Sequence, residues 1–183
     1  MEYKGLRLQE AVDFVIKERL DDGKAGLIAV SKTGAAAGRF PTAVALERRG
    51  VPIPNPNCRV CGDVKECADH SLVSCSLAGK VWKDIWRWCN IQAPNFTSVM
   101  ELLAFANDWS HCLRRRSLLI AICYGALWCL WKARNDGVFN SKLMSASRIL
   151  DDIISLVFLW FKHRGSLGKT DWVLWCICPF DCL

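Results

Sequence analysis

Residues 57–75 read NCRVCGDVKECADHSLVSC, and four side chains within them, Cys58, Cys61, His70 and Cys75, decide how the rest of the chain is read. Zinc is bound tetrahedrally by sulfur and nitrogen, and a Cys-x2-Cys pair lets one tight turn present two thiolates to the same ion. Gly62 directly follows the second cysteine, where a positive φ is commonly needed. His70 and Cys75 then close the site from the start of the next helix. Protein fills all four positions, so the spacing predicts a closed structural zinc site with no coordinated water for hydrolysis. Cys67 lies between the ligand pairs and competes with His70 by position; we rank it as a spare thiol. The alternative is that these are ordinary buried cysteines in a cysteine-rich chain. The compact spacing of a histidine and a further cysteine behind the Cys-x2-Cys pair favours metal.

Outward from the loop the pattern is helical. Residues 78–89 come next, with Trp82, Ile85 and Trp86 on one face at 3.6-residue spacing. Further helices are expected over 98–106, from Arg114 to about Asn135, and over 143–162. Upstream, Pro41 opens a short helix over 41–49 that Gly50 ends, and VPIPNPN (51–57) is extended because three prolines exclude helix. In residues 6–20, Leu8, Ala11, Val12, Val15 and Ile16 form an apolar helical stripe. Residues 26–31, GLIAVS, read as one short buried strand with no sheet partner in view, and KTGAAAG (32–38) reads as a featureless junction. The fold class is therefore mainly α, with a small zinc-binding loop between helices and an N-terminal helix–strand relic.

Composition is uneven along the chain. Residues 1–34 carry six basic and six acidic groups, so the whole net charge of +6 lies beyond them. Every cysteine lies at or beyond Cys58, and every tryptophan at or beyond Trp82. The first 34 residues thus look foreign to the rest. Met1 is followed by a charged amphipathic stretch, not the apolar core of a secretory signal, so an intracellular site, nucleus or cytoplasm, is expected. Cysteines in such a chain read as reduced thiols or metal ligands, not disulfides. Residues 118–131, LLIAICYGALWCLW, are uncharged but fall short of the ~20 needed to span a bilayer, so a buried core helix is expected and membrane spanning is not. Cys89, Cys112, Cys123, Cys129, Cys176, Cys178 and Cys182 read mostly as small core hydrophobes; a second site at Cys176, Cys178 and Cys182 is the alternative, with no histidine near them.

The string from Gly38 to Trp82, with Arg39–Thr42 (basic, Phe-Pro-Thr), Arg48–Gly50, Cys58/Cys61, Glu66, Asp69-His70, Cys75 and Val81-Trp82, resembles the zinc-binding domain that lies behind the reverse transcriptase of plant non-LTR (LINE-type) retrotransposons. WCLWKARNDGVFN (128–140) and LWFKHRG (159–165) resemble the region downstream of that domain in the same elements, so the likeness covers about residues 39–176. The family's upstream helix with Trp and Phe is missing. Residues 1–34 resemble a different family, a piece near the end of the β subunit of plant-type isoaspartyl peptidase/L-asparaginase. Together these likenesses imply an asparaginase-like fragment (1–34), a junction (35–38), a zinc-binding domain (39–90) and a helical retroelement-type region (91–183).

Neither enzyme's chemistry is expected to transfer. The hydrolase needs a threonine freed after a glycine, whose α-amino group acts as base. The four threonines here, Thr33, Thr42, Thr97 and Thr170, all come after other residues. Reverse transcription needs a carboxylate triad holding two metal ions, and Asp21-Asp22 and Asp151-Asp152 read as capping or solvated pairs. No small-molecule substrate is expected. Around the loop Arg48, Arg49, Arg59, Lys65, Lys80, Lys83 and Arg87 interleave with Trp82, Trp86 and Trp88, a pattern that suits phosphates and unpaired bases of RNA or DNA. The same residues equally fit a solvated helix face over core tryptophans, which the spacing of Trp82 and Trp86 favours. The leading expectation is a noncatalytic zinc-binding module that binds nucleic acid; the rivals are an inactive hydrolase-related fragment and a chimera without selected function.

Overall fold

A computed structural model describes residues 27–30, 36–163 and 171–183. The amphipathic helix expected over 6–20 lies outside the described residues. The chain is mainly helical and divides into two compact units, one containing the described residues up to Asn57 together with Lys65–Ala68, the other Cys58–Val64 with the described residues from Asp69 to Leu183.

In the first unit, strands β1 (Leu27–Val30) and β2 (Ala36–Arg39) pair antiparallel, with Leu27 opposite Arg39 and Val30 opposite Ala36. This corrects the reading of a strand without a partner next to a featureless junction: the junction is the partner. Backbone N–H and C=O groups make a ladder whatever the side chains are, so an Ala/Gly segment pairs without showing any alternating pattern. Helix α1 (Ala43–Glu47) is shorter than the expected 41–49, because Pro41 and Thr42 precede its first turn. Thr42 does not cap it through its side chain. Buried Glu66 does: its carboxylate accepts from Ala43 N–H at 3.2 Å, and its carbonyl accepts from Val44 N–H at 3.1 Å. A carboxylate here meets the positive end of the helix and satisfies donors that have no intrahelical partner. Gly50 ends the element at φ +78°, as expected of a C-terminal glycine.

The second unit holds the helical core. Loop 58–64 leads it, a π-helical turn runs over His70–Ser74, and among the described residues five helices come after: α2 (Ser76–Trp88), α3 (Val99–Asp108), α4 (Leu113–Phe139), α5 (Ala146–His163) and α6 (Trp172–Ile177). A 3-10 turn, Pro179–Cys182, packs on α6. Helix α4 is central, packed by α3, α5 and the π turn, and α5 bridges α4 to α2 and α6. Ser98 and Glu101 start α3 reciprocally: the Ser98 hydroxyl accepts from Glu101 N–H, and the Glu101 carboxylate accepts from Thr97 N–H at 2.8 Å. Asp69, next to the ligand His70, also accepts from Val99 N–H at 2.9 Å.

Among the described residues α4 alone is long and apolar enough to cross a membrane by length and composition. Here Leu118, Leu119, Ile122, Cys123 and Ala126 are fully buried among its neighbours, the behaviour of a core helix. Where α4 meets α5 the two run unusually close. A Cβ at Gly125 would lie 2.7 Å from Val157 Cγ2, and Val157 is fully buried. Valine is stiff at χ1 and has no rotamer to yield into. Gly125→Ala gains about 1 kcal/mol of helix propensity but overpacks the crossing by about 1–3 kcal/mol. The expected net result is a loss of stability, seen as a lower urea midpoint with an unchanged slope.

Candidate metal centre

The cysteine loop is closed by its own backbone. Cys58 N–H donates to Val64 O and Gly62 N–H donates to Cys58 O, both at 2.8 Å, and Gly62 takes φ +78°. A β-carbon at Gly62 would meet nothing within 4 Å, so the glycine is needed for its backbone angle and not for space. This turn carries Cys58 and Cys61. His70 and Cys75 come from the π turn, where Cys75 N–H donates to His70 O at 2.7 Å. That five-residue closure places the imidazole and the thiol on one side, and Cys75 then serves as the residue preceding α2.

The ligand atoms of Cys58, Cys61, His70 and Cys75 all lie within 4.8 Å of one another. Cys58 Sγ and Cys75 Sγ are 3.8 Å apart, and Cys61 Sγ and His70 Nε2 are 3.3 Å apart. A tetrahedral zinc ion with ordinary bond lengths sets sulfurs about 3.8 Å apart and sulfur to nitrogen about 3.5 Å. The donor set and spacing therefore fit zinc. Cys58, His70 and Cys75 are buried and Cys61 is half-buried, so the centre is closed by protein. Cys67 is not one of the four that converge, and among the described residues no second group of this kind is found, Cys176, Cys178 and Cys182 included.

The electrostatics show a pair sharing one proton. Cys58 is pushed up to about 12 by donating its hydrogen to Cys75 and by burial, against the pull of the Cys61 and Val60 backbone N–H groups. Cys75 is brought down to about 6 by accepting that hydrogen bond, helped by Leu77 N–H and Ser76 and opposed by burial. Zinc requires both sulfurs as thiolates, so binding must expel the Cys58 proton. Between about pH 6 and 12 the metal-free pair holds one proton that the metal-bound pair lacks. Apparent zinc affinity should then rise about tenfold per pH unit through this pair alone, and about a hundredfold per unit below pH 6, where Cys75 is protonated as well. Competition with a chelating indicator across pH 5–8 checks this; an affinity flat with pH contradicts the shared proton.

The remaining cysteines are unbridged. Burial pushes Cys123 up to about 12 and Cys129 to about 11, the behaviour of inert core thiols. Cys112 departs from the expectation of a core residue: it is exposed, and its thiol is lowered by the backbone N–H groups of Arg115 and Arg114 and by their charges.

The basic residues read from the sequence are exposed. Arg48 and Arg49 lie just beyond α1, and Lys65 pairs with Glu47 at 3.5 Å, all in the first unit. In the second, Arg59 sits between Cys58 and Cys61, while Lys80, Lys83 and Arg87 line the outer face of α2. The interleaved tryptophans are buried, as the spacing of Trp82 and Trp86 favours, and do not form an open stacking platform. Trp82 donates its indole N–H to Leu72 O at 2.8 Å, Trp88 donates to Trp175 O at 2.9 Å, and all three tryptophans of α2 are buried. The 3.6-residue spacing turns them inward.

A family described as zinc-binding in reverse transcriptase matches residues 32–82, a segment that contains all four ligands. Over 34 residues the chain is 79% identical to probable isoaspartyl peptidase/L-asparaginase 2 of Arabidopsis thaliana; the match takes in 19% of this chain and 10% of that protein. The chain thus spans about a tenth of that curated relative. No solved structure matches it. Both resemblances read from the sequence are supported, and both matches are to pieces: a zinc-binding segment and a short fragment of a hydrolase.

Proposed function

We propose that this protein is a noncatalytic zinc-binding module that engages RNA or DNA, derived from the C-terminal region of a retrotransposon reverse transcriptase and preceded by a hydrolase fragment. One observation carries the reading: three sulfurs and an imidazole meet at zinc spacing inside the segment that resembles a reverse transcriptase zinc-binding domain. The domain division into 1–34, 35–38, 39–90 and 91–183 belongs to this proposal. A closed four-ligand site leaves no position for a reacting water, so the ion's role is to hold the loop against α2. Support for nucleic acid comes from the exposed cations Arg59, Lys80, Lys83 and Arg87, from Arg48, Arg49 and Lys65 on the first unit, and from the net charge of +6. Unbridged thiols throughout suit a reducing compartment, nucleus or cytoplasm.

The test has two readouts. Native mass spectrometry of reduced protein should show one zinc per chain; metal-free protein overturns the module. Binding to nucleic acid should weaken with a log–log salt slope of roughly −2 or steeper, as phosphate neutralisation requires. The hydrolase reading rests on the 34-residue match. Thr42, however, is buried before α1, and the Thr97 hydroxyl is bonded to Glu101 at 3.0 and 2.9 Å. Ammonia release from asparagine or an isoaspartyl peptide would favour it; none is expected.

A further inference from the structure

Beside α2 the second unit carries a groove of about 600 Å³. One wall is the outer edge of α2, with Gly79, Lys83 and Arg87 at successive four-residue steps. The floor is the edges of Trp82 and Trp86, which stack with centroids 5.5 Å apart. The chain leaving α2 returns as the opposite wall and brings Phe96 to within 6.0 Å of Trp86, ring centroid to ring centroid. Phe96 is only half-buried, so of the three rings it presents the most surface to the groove. Gln92 and Asn95 add carboxamides to this wall, and no carboxylate lines it. Arg87 holds Asp84 through one nitrogen, at 2.5 Å. A guanidinium has five N–H donors, so others remain for a second anion.

Two cations on a rim, aromatic rings below and amides opposite form a set of complementary chemistry. Cations take phosphate, ring surfaces take a base, and carboxamides pair with a base's edge. Reading a duplex through its major groove needs a protruding element; a concave slot instead takes a base that has left its stack. We propose that this groove seats an unpaired nucleotide of single-stranded RNA or DNA, its base on the half-exposed ring of Phe96 and its phosphates at Lys83 and Arg87. The inference rests on the nucleic-acid reading above and narrows it to one place and one strandedness.

Gly79 supplies the decisive variant. A Cβ there meets nothing within 4 Å, so Gly79→Leu suits the helix and fills the slot. The zinc-loaded full chain is titrated with labelled oligouridine and oligothymidine about ten nucleotides long, and with a blunt duplex of similar length. Single strands should bind more tightly than duplex. Gly79→Leu should weaken single-strand binding about tenfold or more, the effect of losing one stacked base. Lys83→Ala with Arg87→Ala should reduce the salt slope by about 1.4, two phosphate contacts' worth. Both variants should keep one zinc per chain; if Gly79→Leu loses it, the double variant decides. Undiminished single-strand binding by the variants, or a preference for duplex, overturns the groove while leaving the broader nucleic-acid reading intact. Wild-type protein that binds no oligonucleotide overturns both.

Discussion

Cys75→Ser should leave the chain without zinc. Structural zinc in small domains is worth about 10–16 kcal/mol of folding free energy, so one ligand in four carries roughly 3 kcal/mol or more, at least a hundredfold in affinity. This position separates the metal from the helix it begins. Cys75 precedes the first turn of α2 in extended conformation, φ −62° and ψ 147°, and serine is among the preferred residues there. The helix start survives the change while the thiolate does not. The same protein should show a zinc content near zero and a melting temperature indifferent to chelator, whereas the wild type should melt earlier when chelator is added. A wild type whose transition ignores chelator would sever the ion from the fold. Cys58→Ser should lose zinc equally, since its sulfur lies 3.8 Å from Cys75.

Trp175→Ala should be the most damaging single change away from the metal. Trp175 is fully buried and is the only buried residue of α6. Its indole N–H donates to Ile154 O at 3.0 Å, its ring meets Trp88 edge-on at 5.6 Å, and Phe158 lies at 5.7 Å. Truncating a buried tryptophan costs about 3–5 kcal/mol, the spread reflecting how far the cavity collapses. Collapse should be poor here, because Val173, Leu174 and Ile177 are exposed and, apart from Trp175, α6 is held mainly by the half-exposed Trp172 ring against Phe158, centroids 4.8 Å apart. Against a typical total of about 5–15 kcal/mol the loss is large. A fall in the urea midpoint with zinc content unchanged is the expected signature; an unaltered midpoint would mean that α6 contributes little to the core.

Legibility in the sequence tracks the range of the interactions. The four ligands span a short stretch, and both the Cys-x2-Cys turn and the Gly62 angle are local, so the metal centre is legible from spacing alone. Helix α2 shows itself through periodicity and α4 through its uncharged run over 118–131; α2, α4 and α5 each differ by a few residues from their expected limits. Hairpin β1–β2 is hidden because Ala36 and its neighbours carry no alternation to read. Helix α6 is hidden for another reason: DWVLWCICPF is apolar without a period, and only its packing against distant Trp88, Ile154 and Phe158 shows which residue turns inward. Glu66 and Asp69 stand out as members of a motif, yet their work as caps for α1 and α3 depends on where those helix starts come to lie. The α2 groove is likewise invisible until the chain folds back and places Phe96 beside Trp86.

The bond from the Trp88 indole to the Trp175 carbonyl joins residues 87 positions apart. At bacterial to eukaryotic elongation speeds, that separation takes roughly 4–17 s to synthesise. All four zinc ligands are translated before Trp88. On the ribosome, therefore, the metal loop can capture its ion while α5 and Trp175, which cover α2 from later in the chain, do not yet exist, so coordination can precede this part of the hydrophobic sealing.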